Sequence, residues 1–191
     1  AMFAALTRTP VCALGRLTLL WIALWTAAAC AAGFDIVSAS SRLEGGVYRL
    51  NARIDYRFSP PALEALQNGV PLTVELEMEV RRRRGWIWDE TVYALTQRFR
   101  LEYHALSQQY LVNNLNSGER RGFPSRGGAL QFMGQITDFP FLDQGLLIAG
   151  ERYEGALRVL LDLEALPAPL RLFAYLSDDW RLSSEWRTWP L

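Results

Sequence analysis

The chain contains no lysine: all twenty of its basic residues are arginine, set against twenty acids and a single histidine. An arginine-only surface would suit bidentate contacts to carboxylate or phosphate, but the arginine codons favoured by a GC-rich genome account for it more simply. Cysteine is nearly as scarce. Both copies, Cys12 and Cys30, fall in the first thirty residues. The rest of the chain therefore has no disulfide, no thiol nucleophile and no thiolate metal site, and must be held by core burial alone. Two arginines also fall in the leading segment, so the remainder carries eighteen arginines against twenty acids, a balance of −2. A nucleic-acid partner, which wants a basic face, is disfavoured. The lone histidine, His104, would need Ser107 and Glu102 for a catalytic triad. These lie too close along one strand to converge, and the chain has no nucleophile elbow.

A long spanning hydrophobic run is also missing. Arg8 and Arg16 precede an uncharged apolar stretch, residues 17–29 (LTLLWIALWTAAA), and small residues follow up to Ala32. The stretch is shorter than the ~20 residues of a membrane-crossing helix. The order of basic, apolar and small residues is that of a secretory signal, so residues 1–32 are expected to be removed on export to the periplasm. Cys30 follows three alanines and offers an alternative, a lipid attachment that would tether the mature chain to a membrane. Residues 33–191 are then one domain.

What that domain does contain is alternation. Leu50, Ala52, Ile54, Tyr56 and Phe58 share one strand face. Leu72, Val74, Leu76, Met78 and Val80 share another, opposite Glu75, Glu77, Glu79 and Arg81. Similar patterns recur in 90–104 and 152–164, and such half-buried strands belong to antiparallel sheet. Strands are expected near 34–43, 46–58, 71–83, 90–104, 108–115, 152–164, 169–176 and 182–189. Pairing 71–83 with 90–104 sets Val74 opposite Phe99 and Glu75 opposite Arg98, so that the apolar faces agree. Asn116-Ser117-Gly118 signals a second hairpin. Two short helices interrupt: one capped by Ser59, opening at Pro60 and stopping at Asn68-Gly69, and a glycine-rich one near 127–136. The fold class is all-β, an antiparallel two-sheet β-sandwich of the immunoglobulin-like kind, with a barrel as the alternative.

Chemistry is harder to find. Asp178-Asp179 could hold a cation at a turn, but turn formation explains the pair without one. The glutamate row reads as a solvated strand face. With no metal-binding or catalytic constellation, no cofactor is implied and an enzyme is not expected. The more informative cluster is Arg82, Arg83 and Arg84 running into Trp86 and Trp88 at the tip of the 71–104 hairpin. A basic tip with two indoles suits a protein partner or a membrane surface. At the C-terminus, Trp180 and Trp186 share the parity of Leu182 and are expected in the core, which leaves Trp189 on the other face as a further interaction candidate.

The segments GVYRLNARIDYRFSPPALEALQNGVPLTVELEMEV, WDETV, YLVNNLNSGE and LSDDWRLSSEWRTWPL resemble a family of Gram-negative bacteria called domain of unknown function 4390. The resemblance covers residues 34–191 and implies an exported protein with no assigned activity. Its members tend to be encoded beside a membrane sensor kinase and its response regulator. The expected function is thus a non-catalytic interaction or accessory module of the envelope, linked to such a kinase. Membrane contact would come through the hairpin tip or a lipid on Cys30. A binding module for a small ligand, lipid or glycan is the second reading, and a hydrolase the third.

Overall fold

A computed structural model describes residues 32–84 and 89–191. Residues 1–31 of the leader and the two tip tryptophans, Trp86 and Trp88, lie outside the described residues. Among those described, no helix is long and apolar enough to cross a membrane.

Among the described residues, nine strands form two antiparallel sheets. The smaller sheet has the order β1-β2-β7, from β1 (Gly33–Glu44), β2 (Val47–Arg57) and β7 (Gln135–Asp143). Its first hairpin turns at Gly45-Gly46, whose φ angles of +60° and +81° suit the tight turn that matches strand twist. The larger sheet runs β6-β5-β4-β3-β8-β9. Its members are β3 (Leu72–Arg82), β4 (Glu90–His104), β5 (Gln109–Asn114), β6 (Arg120–Phe123), β8 (Tyr153–Leu161) and β9 (Arg187–Pro190). The β3–β4 register sets Val74 against Phe99 and Glu75 against Arg98, as the apolar pattern requires. Leu72, Val74, Leu76, Met78 and Val80 are buried, together with Leu157, Val159 and Leu161 of β8. Leu50, Ile54 and Tyr56 from the smaller sheet, with Phe58 just beyond β2, complete the core.

Helix α1 (Pro60–Gln67) begins as its sequence dictates: the Ser59 hydroxyl accepts from the Ala62 amide at 3.4 Å, and Ala62 and Leu66 are buried. Helix α2 (Arg126–Gly134) is capped by Ser125 and passes directly into β7. That strand was not expected. It has no alternation, Asp138 adopts φ +55°, and Pro140 interrupts it. An edge position with two register shifts against β2 tolerates both. A second correction concerns 169–176, which is helix α3 (Ala168–Leu176) rather than a strand. Pro167 and Pro169 flank its start, a helix-opening arrangement.

Tyr56 gives the core a pH signature. Its ring packs edge-on against Phe34 at 5.2 Å, and its hydroxyl donates to the Met133 carbonyl at 3.5 Å. Burial pushes its ionisation well above the ordinary value of 10.0. The folded pKa is raised, so this contribution is complete below the unfolded pKa and is lost as pH rises toward the folded one. Relative to wild type, Tyr56→Phe is expected to recover about 1.4 kcal/mol of stability at pH 11 that it does not recover at pH 7. Denaturant unfolding at the two pH values measures the difference. An equal loss in both proteins would sink the assignment.

Candidate interaction site

The arginine run ends β3 at one end of the larger sheet, where β8 begins and β9 finishes. Arg82 and Arg84 both ion-pair with Glu90 at the start of β4. The Glu90 hydrogen bond raises the Arg82 pKa further, holding the guanidinium charged. Arg83 continues the ladder, its amide donating to the Arg152 carbonyl at 3.0 Å. Its exposed guanidinium lies 3.7 Å from Glu154. The Arg84 amide donates to Asp89 at 3.3 Å.

Two depressions open here. One, of 340 Å³, is lined by Arg83, Arg84, Asp89 and Arg152. The other, of 450 Å³, has Arg83, Arg152, Glu151 and Glu154 among its lining residues, beside the C-terminal residues of β9. Four arginines thus share the surface with four carboxylates, and the described part of this end is a mixed-charge rim rather than a basic one. Sequence reasoning missed Arg152, Glu151 and Glu154. Only the pairing of β8 with β3 brings them to the tip, and strand order is not written in one sequence.

Trp189 must be removed from the exposed set. It is 7% exposed, its ring lies over Gly155, and its indole Nε1 donates to the Ser41 hydroxyl at 2.9 Å. The cause is a bulge. Ser183 bridges Leu160 and Arg187 pairs with Leu157, so four steps along the C-terminal segment match three on β8. The Ser184 hydroxyl takes the Val159 amide at 3.0 Å at this place. Parity inverts beyond it. Trp180 is buried as expected, while Trp186 turns outward instead of entering the core. There its ring lies under the guanidinium groups of Arg81 and Arg158, at 4.5 and 4.8 Å.

The remaining candidates resolve simply. His104 and Ser107 do meet, at 3.0 Å across the turn after β4, contrary to the expectation that they are too close in sequence to converge. Both are exposed, and Glu102 turns away to Arg120 at 3.4 Å. The glutamate row is paired rather than merely solvated: Glu75 with Arg98, Glu77 with Arg158 and Glu79 with Arg81. Asp178 pairs with Arg181 at 3.1 Å, and the Ser177 hydroxyl accepts from the Asp179 amide. No group of three or more His, Cys, Asp or Glu side chains placed to hold a metal occurs among the described residues.

No curated protein and no solved structure matches the chain. A family model described as Domain of unknown function (DUF4390) matches residues 31–190, well over half of the chain, and the chain belongs to that family.

Proposed function

We propose that this is an exported envelope protein that works as a non-catalytic interaction module on an immunoglobulin-like scaffold. Its arginine-bearing end docks onto the exposed region of a membrane partner of the sensor-kinase type. One observation carries the reading: Arg83, Arg84 and Arg152 border two adjoining depressions at one end of the larger sheet. The carboxylate partners of Arg83 and Arg84, Glu154 and Glu90, form surface pairs worth about 0–1 kcal/mol each, so an incoming carboxylate can replace them at little cost. The balance of charge favours a polar protein surface over an anionic membrane, which would select a net basic patch.

Photoreactive residues at positions 83, 84 and 152, introduced in living cells, test the proposal. The expected product is one envelope membrane protein captured from all three positions, and weakened about tenfold at position 152 by Arg83→Glu with Arg84→Glu. Capture of lipid alone, or of nothing above background, would remove the docking assignment.

A module for a small polar ligand such as a glycan is the second reading. It draws on a 490 Å³ open groove between β2 and α2, where Arg53, Asp55, Gln131 and Gln135 gather around Ile54 and Leu130.

A further inference from the structure

Helix α3 exposes what a short helix normally buries. Leu172, Phe173 and Leu176 are 65%, 67% and 81% exposed, and Ala174 is its one buried residue. Pro169, Leu172, Phe173 and Leu176 follow the i, i+3, i+4, i+7 spacing and form a single apolar stripe. Contiguous apolar surface of this kind marks an interface.

The ends of the helix are polarised. Its first turn has no acid and its last turn no base. At the start, Pro167 and Pro169 carry no amide hydrogen, and the amides of Leu170 and Arg171 are both satisfied by the Pro167 carbonyl at 3.0 Å. The positive end of the helix dipole is thus left without a compensating carboxylate on its own first turn. Beyond the other end stand Asp178 and Asp179. Arg181 holds Asp178 at 3.1 Å and caps the Tyr175 carbonyl at 2.9 Å. Asp179 has no ion pair among the described residues; its carboxylate accepts only from the Ser177 hydroxyl, at 3.4 Å.

We propose that α3 docks against α3 of a second copy of this chain, antiparallel across a two-fold axis near Leu172 and Phe173. The stripe is centred between those two residues, so a two-fold axis there sets Leu176 of each copy against Pro169 of the other. The same operation carries each Asp179 toward the first turn of the other helix, which bears no acid of its own and whose neighbour Glu164 is already held by Arg171 at 3.3 Å, an isologous and self-complementary arrangement. The adjoining acids Glu164, Asp178 and Asp179 oppose an anionic lipid surface as the alternative occupant. The contact lies at the opposite end of β8 from the arginine rim, so dimer formation leaves that rim open. A helix of nine residues covers less than the ~800 Å² per partner of a standard interface, so the dimer is weak and concentration-dependent.

Sedimentation equilibrium of the purified full chain, from about 10 to 500 μM, covers the micromolar to near-millimolar dissociation constants of a weak dimer. A reversible monomer–dimer equilibrium is expected in the wild type. Leu172→Glu with Phe173→Glu should leave monomer throughout, with an unchanged melting temperature because both side chains are exposed. Asp179→Arg should weaken association at least tenfold at low salt and less at high salt. A wild type that stays monomeric, or a dimer indifferent to these changes, would overturn the proposal.

Discussion

Trp189→Ala is expected to lower the unfolding free energy by about 4 kcal/mol, the middle of the range for truncating a buried large aromatic. Three elements meet on this side chain. Its ring covers Gly155 of β8, where a methyl group would come within 2.5 Å of it. Phe141 of β7 approaches edge-on at 6.4 Å, and its Nε1 donates to Ser41 of β1. Trp189 is therefore a cross-link between the two sheets, supplied by an edge strand with only four paired residues of its own. Removing the ring leaves a void between the Gly155 backbone, the Phe141 ring and the Ser41 side chain. Ser41→Ala, which removes only the hydrogen-bond partner, should cost about 1 kcal/mol. Urea unfolding with an unchanged slope measures both. A loss within about 0.5 kcal/mol for Trp189→Ala would mean a surface side chain and would return Trp189 to the interaction set.

The fate of the tryptophans shows which parts of the structure were readable in advance. Strand existence, the β3–β4 register and the Ser59 cap follow from local rules: apolar parity fixes which face is buried, and a serine before two prolines fixes where a helix starts. Trp186 and Trp189 obey the same parity rule until one extra residue near Ser184 inverts it. The bulge arises from a hydroxyl taking a backbone amide on another strand, which no local pattern announces. Strand β7 was hidden for a related reason, because Asp138 and Pro140 fit only where neighbouring pairs are already irregular. Helix α3 was misread because its apolar residues face outward, so alternation and helical spacing had no buried face to arbitrate between them. At the interaction site, Arg82, Arg83 and Arg84 were legible as a run. Their neutralisation by Glu90 and Glu154 was not, since it depends on which strands lie beside β3.

Gly134→Ala is expected to destabilise the fold by about 3 kcal/mol, the upper end of the overpacking range. Gly134 closes α2 immediately before β7, where the chain passes so near to β2 that an added Cβ would lie 2.3 Å from the Ile54 carbonyl oxygen. The obstacle is backbone of a central strand, so no side chain can rotate to make room. Relief requires the α2–β7 junction to lift. That would break the Gln135–Arg53 and Ile136–Ala52 pairs and withdraw the Met133 carbonyl from Tyr56. Gly127, seven residues earlier on the same helix, is the control. A Cβ there meets nothing within 4 Å, so Gly127→Ala should stabilise by about 0.5–1 kcal/mol through helix propensity alone. The same substitution at two positions of one helix is therefore predicted to have opposite signs. Thermal or urea unfolding of the pair measures the two signs: two stabilising alanines would mean that α2 stands clear of β2.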